Sequence, residues 1–181
     1  GFALDVQTVS SDYIGDDEYG HARFDTKRSE VGELLYRFKY AQDKSGVRLL
    51  AETAAEFVRS QRWPVEAIVP VPPSRETRVF QPLQILARAL GESLGIPVQS
   101  DCIAKTRSTP ELMSVTAYDE RLKLLDGAYA VFAKPIIGRK VLLLDDLYRS
   151  GATLKAAYST IAKSGVSEVY VLAITKTRVK R

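Results

Sequence analysis

The feature that most constrains the fold is an apolar run that ends in two adjacent aspartates and a short loop. Residues 141–153 have the sequence VLLLDDLYRSGAT. Consecutive apolar residues are typical of a central strand that is buried on both faces. Ligands of open α/β sheets bind at the carboxyl ends of such strands, and Asp145 and Asp146 follow the apolar run at that position. The segment therefore predicts a strand–loop–helix unit with a ligand site.

The loop after the aspartates is suited to a phosphate group. A helix N-terminus presents unpaired N–H groups and a partial positive charge, and Gly151 permits close approach of the backbone. Ser150 and Thr153 add hydroxyl donors, while the carboxylates can hold sugar hydroxyls or Mg²⁺. A phosphorylated sugar matches both halves. In the simpler alternative, the aspartates form a strand-end turn and Ser150 caps the helix, without any ligand.

The rest of the chain predicts an α/β fold. Apolar residues at helical spacing predict helices at 30–41, 47–60, 82–94 and 152–163. Short apolar runs predict strands at 67–71, 128–132, 140–144 and 168–175, with an interrupted strand at 96–98 and 101–104. Alternating strands and helices indicate a mostly parallel sheet, and 181 residues favour one domain. Residues 1–20 are acidic and rich in turn formers.

Composition narrows the class of protein. A net charge of +4 suits a phosphate-rich ligand or a nucleic acid and does not separate them. The single cysteine, Cys102, excludes an internal disulfide and a multi-cysteine zinc site. The chain has no apolar run long enough for a membrane span and does not begin like a secretory signal. These features favour a cytoplasmic protein without a membrane partner.

The 141–153 segment resembles the phosphoribosyl-pyrophosphate signature of type I phosphoribosyltransferases. The resemblance implies an α/β fold with a central, mostly parallel sheet flanked by helices and a small variable hood. One domain would span residues 1–181, with 1–30 as the hood or N-terminal extension. Asp145 and Asp146 would bind the ribose hydroxyls and Mg²⁺ and would take part in catalysis. The 5′-phosphate would lie against Arg149, Ser150, Gly151, Ala152 and Thr153.

Further segments resemble the ComF group of amidophosphoribosyltransferase-like proteins. They are LYRFKY at 35–40, IVPVPPSRETRVFQPLQILARAL at 68–90, RSTPEL at 107–112 and RLKLLDGAYAV at 121–131. The similarity covers roughly residues 19–178. The chain departs from the group at 78–82, where RVFQP stands in place of R-G-F-N-Q, and it lacks the four-cysteine element that many members carry.

Two loops are expected to complete the site. In the fold that the chain resembles, the loop after the 67–71 strand binds pyrophosphate, and Ser74, Arg75 and Arg78 offer one hydroxyl and two guanidinium groups for it. The polar segment 105–120 resembles a loop that closes over the active site. Its Lys105 and Arg107 are candidate catalytic residues that would neutralise the pyrophosphate leaving group. The alternative for both loops is an ordinary solvated surface.

The resemblance implies a phosphoribosyltransferase of nucleotide metabolism. Such an enzyme uses phosphoribosyl pyrophosphate and Mg²⁺ to transfer ribose 5-phosphate to a nitrogen acceptor, here unknown, with release of pyrophosphate. The alternative is a non-catalytic protein of the ComF type that binds phosphoribosyl pyrophosphate or nucleic acid. Two basic clusters motivate nucleic-acid binding: Arg23, Lys27 and Arg28, and Lys176, Arg178, Lys180 and Arg181. A homodimer is left open.

Overall fold

The computed structural model describes residues 1–73, 80–106, 118–132 and 134–178. The strands in these ranges are β1 (Phe2–Val6), β2 (Thr8–Asp16), β3 (Ala22–Arg28), β4 (Ala67–Pro70), β5 (Ile103–Lys105), β6 (Tyr129–Val131), β7 (Lys140–Tyr148) and β8 (Glu168–Lys176). The α-helices are α1 (Glu30–Tyr40), α2 (Val47–Ser60), α3 (Pro82–Leu94), α4 (Tyr118–Leu125) and α5 (Ala152–Ala162), and a 3₁₀ turn spans Lys134–Ile136.

A parallel sheet forms the centre of the fold. Its strand order is β1-β8-β7-β4, and every neighbouring pair in it is parallel. A parallel bridge between Ile68 and Val98 extends the sheet beyond β4, so the predicted strand at 96–98 is reduced to a bridge. Two antiparallel pairs, β2–β3 and β5–β6, lie outside this sheet. The predicted α/β class with a mostly parallel central sheet is confirmed.

Helices cover both faces of the sheet, as the alternation of side chains along β7 shows. Leu142 and Leu144 pack in a buried cluster with residues of α1, α2 and α3. Val141 and Leu143 pack in a second cluster with residues of α5, β6 and the end of α4. Successive side chains of a strand point to opposite faces. The same alternation continues into the aspartates that follow.

The N-terminal residues differ from the sequence prediction. Residues 2–6, predicted to be part of a hood, form an edge strand of the central sheet, with Phe2 opposite Leu172 of β8. Within residues 1–30, β2 and β3 lie outside the central sheet and form an antiparallel hairpin. The acidic residues there suggested turns, but a hairpin with one solvated face accepts charged residues on its strands. Part of the segment predicted as a hood thus belongs to the central sheet, and a hood role for the hairpin stays a prediction.

The strand of the predicted ligand site is longer than expected. The sequence pattern predicts that the strand ends at Leu144, where the apolar run stops. In the structure, β7 continues in register with β8 as far as Tyr148, which lies opposite Lys176. Backbone pairing with a neighbouring strand therefore carries the strand past the last apolar residue. None of the helices in the described ranges is long and apolar enough to cross a membrane.

Candidate functional site

Asp145 and Asp146 lie near the carboxyl end of β7 and leave the strand toward different faces. Because β7 stays regular here, Asp145 follows Val141 and Leu143 toward the α5 face, and Asp146 follows the other set toward the α1 face. Both side chains are half-buried. The pair therefore presents one carboxylate toward each layer of helices, a separation that the sequence alone did not indicate.

Asp145 is the more strongly perturbed carboxyl group. Burial and the adjacent charge of Asp146 raise the pKa of Asp145 to about 7, although backbone N–H groups and Lys39 act in the opposite direction. Its Oδ1 accepts a hydrogen bond from the backbone N–H of Asp146 at 2.8 Å. Burial, with a contribution from the Asp145 charge, also raises the pKa of Tyr129 in β6 to about 12. A carboxyl group with a raised pKa of this kind is typical of functional sites, where a cation or a hydroxyl group of a ligand can bind it.

Asp146 is paired with a lysine from α1. The Nζ atom of Lys39 lies 2.7 Å from Oδ2 of Asp146, and the two side chains are only 17% and 22% exposed. Lys39 belongs to the last turn of α1, and the helix is directed at the site by Phe38, whose ring packs edge-on against Phe80 at 5.4 Å. Phe80 lies two residues before the start of α3. Helix α1 therefore borders both Asp146 and the residues that lead into α3.

The N-terminus of α5 lies directly beyond the carboxylates. Gly151 is its N-cap residue and makes no side-chain capping bond, so the first N–H groups of the helix lack that partner. The Ser150 hydroxyl is 3.5 Å from the N–H of Ala152, which is a weak contact. Arg149 is exposed, whereas Ser150 and Thr153 are half-buried. Unpaired N–H groups with a helix dipole behind them provide an anion site.

Gly151 is required by the shape of this loop. Its φ is +78°, a left-handed conformation that strains residues with a side chain. A Cβ atom at this position would lie 2.7 Å from Oη and 2.8 Å from Cε2 of Tyr148. The Tyr148 ring thus packs directly on the glycine, and 44% of that residue remains exposed. A side chain at position 151 would therefore displace the Tyr148 ring.

Two threonines of the neighbouring strand and its extension hold the loop backbone. The buried Thr175 hydroxyl donates to the carbonyl of Asp146 at 3.1 Å, and the Thr177 hydroxyl donates to the carbonyl of Arg149 at 3.2 Å. The N–H of Thr177 also donates to the carbonyl of Tyr148 at 3.0 Å. The end of β8 therefore positions the backbone that carries the predicted ligand-binding groups.

We expect Thr175→Val to weaken this support without changing the side-chain volume greatly. The variant should lose about 1–2 kcal/mol of unfolding free energy in urea, since a buried carbonyl loses its hydroxyl donor. Thr53→Val is the control, because Thr53 donates to the carbonyl of Leu49 on α2, outside the loop. A Thr175→Val loss no larger than that of the control would show that the bond to Asp146 does not position the loop.

Lys105 lies at the end of β5, in the small β5–β6 sheet. Its cross-strand partner is Tyr129, the residue whose pKa senses the charge of Asp145. Opposite residues of an antiparallel pair share a face, which places Lys105 on the Asp145 side of the protein. Burial lowers the pKa of its ammonium group. The other predicted pyrophosphate contacts, Ser74, Arg75, Arg78 and Arg107, lie outside the described residues.

Sequence reasoning missed three residues of the site: Lys39, Tyr129 and Thr175. Lys39 lies in a segment whose pattern indicates an apolar helical face and a resemblance to the ComF group, and neither assigns a role to the lysine. Tyr129 and Thr175 become relevant only through their cross-strand neighbours. The sole histidine, His21, lies at the tip of the β2–β3 hairpin, where it pairs with Asp17 at 3.3 Å.

Each of the two carboxylates offers, on its own face of β7, the type of oxygen ligand that a magnesium ion takes. Mg²⁺ takes oxygen ligands and is commonly held by one or two carboxylates together with substrate phosphates. Asp145 and Asp146 supply such oxygens beside a helix N-terminus that suits a phosphate. Among the described residues, no group of three or more His, Cys, Asp or Glu side chains is arranged to hold a metal ion.

The chain is similar in sequence to two proteins of known name. No protein-family model matches the chain. Competence protein F of Haemophilus influenzae is 27% identical over 152 residues, which cover 79% of this chain and 66% of that protein. Uracil phosphoribosyltransferase of Streptomyces avermitilis is 28% identical over 124 residues, which cover 68% of this chain and 56% of that protein. The matched regions thus span less than two thirds of these relatives' lengths.

Among solved structures, glutamine phosphoribosylpyrophosphate amidotransferase of B. subtilis is similar with a TM-score of 0.52 and 16% identity. The similarity covers 87% of this chain and 34% of that one. The shared sheet and its flanking helices place the chain in a class by fold: it has the type I phosphoribosyltransferase fold. Within that class its sequence is similar to that of competence protein F. The predicted resemblance is confirmed.

Proposed function

We propose that the protein binds phosphoribosyl pyrophosphate together with Mg²⁺ and transfers its ribose 5-phosphate to a nitrogen acceptor. The observation that carries the proposal is the adjacency of a half-buried carboxylate pair to the α5 N-terminus, which has no side-chain cap. Phosphate suits the helix end, and ribose hydroxyls suit the carboxylates. The S. avermitilis relative and the B. subtilis neighbour, both named for phosphoribosyl chemistry, support the substrate class.

In the proposed reaction, the bond between the ribose C1 and the pyrophosphate oxygen breaks, and a bond from the acceptor nitrogen to C1 forms. Pyrophosphate leaves with the electron pair, and the acceptor nitrogen loses its proton to solvent. Positive charge develops on the ribose as in other glycosyl transfers, and Asp145 and Asp146 would stabilise it. When bound, Mg²⁺ would neutralise the pyrophosphate. Lys105 would add positive charge from the β5–β6 side.

The remaining contacts are proposed on the resemblance alone. Ser74, Arg75 and Arg78 would bind the pyrophosphate, and Arg107 would join Lys105 against the leaving group. Arg149, Ser150, Gly151, Ala152 and Thr153 would surround the 5′-phosphate. The β2–β3 hairpin is the proposed hood over the acceptor. A homodimer and a cytoplasmic location stay predictions.

Isothermal titration calorimetry with phosphoribosyl pyrophosphate and Mg²⁺ tests the binding step. We expect the wild type to bind, and Asp145→Asn/Asp146→Asn to bind at least about 100-fold more weakly, since two charge-assisted contacts are lost. Asp12→Asn/Asp25→Asn is the matched control. It removes the same charge from an opposed pair on the β2–β3 hairpin and should bind like the wild type. No wild-type binding, or equal binding by the first variant, refutes the proposal.

Pyrophosphate release separates an enzyme from a binding protein. We would screen nucleobases, ammonia and glutamine as acceptors with phosphoribosyl pyrophosphate and Mg²⁺. Release with one acceptor, abolished by the Asp145→Asn/Asp146→Asn variant, supports the transferase. Binding without release for every acceptor supports the non-catalytic alternative of the ComF type.

Nucleic-acid binding is the other form of that alternative. Two arginines of the basic clusters already have partners within the protein. The Arg28 guanidinium lies 3.6 Å from the centre of the Tyr36 ring, and Arg178 donates a hydrogen bond to the carbonyl of Val9 at 2.6 Å. Contacts with DNA phosphates release counterions, so genuine binding would weaken steeply with salt. The absence of any DNA shift at low salt excludes this form.

A further inference from the structure

The contact between Lys39 and Asp146 links a helix on one face of the sheet to the carboxylate pair. The ammonium is 2.7 Å from Oδ2, and both side chains are mostly withdrawn from solvent. Lys39 also acts electrostatically on Asp145, where its charge favours the ionised carboxylate. One lysine therefore compensates part of the negative charge of both aspartates. Exposed ion pairs are weak, but shielding from water strengthens this one.

The position of Lys39 is set by rigid packing and not by the reach of its side chain alone. Helix α1 is capped by Ser29, whose hydroxyl accepts from the N–H of Gly32 at 3.0 Å and donates to the carbonyl of Val6 at the end of β1. Gly32 lies so close to the carbonyl of Gln7 that a Cβ atom there would overlap it. At the other end, Phe38 is fully buried. The helix is therefore anchored at both ends, and it delivers Lys39 to Asp146.

We propose that Lys39 is an internal counter-cation that occupies the Asp146 carboxylate until a ligand arrives. Its ammonium takes the position at Oδ2 that a divalent cation or a ribose hydroxyl would need. A divalent cation that arrives without a phosphorylated ligand must displace the lysine from Asp146. Its attraction to the two aspartates is weakened, because the lysine already compensates part of their negative charge. A cation that arrives with a phosphorylated ligand offers the lysine a new anionic partner. The proposal rests on the proposed function for the identity of that ligand.

Lys39 is accordingly a positioning and selectivity residue. It keeps the carboxylate pair from taking up a divalent cation alone and directs the pair toward a cation–phosphate complex. When the Lys39 ammonium moves from the Asp146 carboxylate to a phosphate oxygen, it keeps an anionic partner. The move therefore leaves no buried charge without a partner. Asp145, on the opposite face of β7, lacks such a direct contact with Lys39 and is affected by its charge at longer range.

Binding of Mn²⁺ alone tests the proposal, with free Mn²⁺ measured by electron paramagnetic resonance. We expect Lys39→Met to bind Mn²⁺ at least about tenfold more tightly than the wild type, because the competing ammonium is gone. Lys39→Arg keeps the charge and should bind like the wild type. Lys39→Met/Asp146→Asn should lose the added affinity, which would locate the ion at Asp146. Lys39→Gln serves as a second neutral variant if Lys39→Met does not fold.

Arg37→Met is the matched control for net charge. Arg37 lies on the same helix and pairs with Asp43 at 2.6 Å, with 55% of its side chain exposed. The Arg37→Met variant removes one positive charge at a distance from Asp145 and Asp146, and it should leave the Mn²⁺ affinity unchanged. Equal Mn²⁺ affinity for the wild type and the neutral Lys39 variants, or equal tightening by Arg37→Met, overturns the proposal.

The two proposals fail in different ways. Failure of the wild type to bind phosphoribosyl pyrophosphate in calorimetry refutes the proposed function, yet tighter Mn²⁺ binding by Lys39→Met would still establish Lys39 as the counter-cation. Normal phosphoribosyl pyrophosphate binding together with unchanged Mn²⁺ affinity refutes only the role of Lys39.

Discussion

Gly151→Ala should destabilise the protein by about 2–4 kcal/mol and reduce affinity for phosphoribosyl pyrophosphate at least about tenfold. Two physical effects add: an alanine at φ +78° is strained, and its Cβ would meet the Tyr148 ring at 2.7–2.9 Å. The ring or the loop must then move, and the α5 N–H groups move with the loop. Chemical denaturation measures the first effect and calorimetry measures the second.

Gly138→Ala separates strain from overlap. Gly138 has φ +73° with open space around the Cβ position, and it lies at the opposite end of β7 from the site. We expect it to lose only about 1 kcal/mol, with unchanged ligand affinity. Removing the ring in Tyr148→Ala/Gly151→Ala should restore the part of the stability that the overlap takes. Equal losses at positions 138 and 151, without rescue, would refute close packing at Gly151.

Asp145→Asn should stabilise the free protein while it weakens ligand binding. The folded pKa of Asp145, about 7, lies above the ordinary value of 3.8, so the native state retains a proton that the unfolded chain has lost between these values. The Asp145 contribution to stability therefore falls as pH rises from about 4 to about 7. Asparagine removes this contribution, and above pH 7 the variant should be more stable by about 1–3 kcal/mol.

The measurement is the unfolding free energy in urea at intervals from pH 4 to pH 8. The difference between Asp145→Asn and the wild type should be near zero at the acid end and should grow to a plateau near neutrality. Asp43→Asn provides a control of opposite sign, since hydrogen bonds from Ser45, together with Arg37, lower the pKa of Asp43. That variant should be less stable near neutrality, with the difference closing as pH falls below 4. A flat Asp145→Asn difference would contradict the raised pKa.

These two results together would describe a site that lowers the stability of the empty protein. The same half-buried carboxylate that destabilises the free fold near neutrality is the one expected to hold a ribose hydroxyl or a cation. Strained or desolvated groups commonly persist at functional sites because ligand binding compensates them. Lys39 relieves part of this destabilisation by its charge, at the expense of access to Asp146.

Local pattern was sufficient for the elements that carry strong periodicity. The helices at 47–60 and 82–94 have the predicted bounds, and α5 is one residue shorter than predicted. Pattern failed for β1–β3, where acidic and small residues hide an alternating strand, and for the end of β7, where pairing with β8 continues past the apolar residues. In each case a partner strand distant in sequence decides the conformation.

The sequence by itself determined the strand, the aspartate pair and the glycine-containing loop, because apolar burial, carboxylate chemistry and helix-end charge are local properties of residues 141–153. It also determined the class of fold through the alternation of strands and helices. Only the tertiary structure decided that the aspartates diverge and that Lys39 pairs with Asp146. The contact between positions 39 and 146 depends on how α1 is anchored to the sheet, and no local pattern encodes that distance.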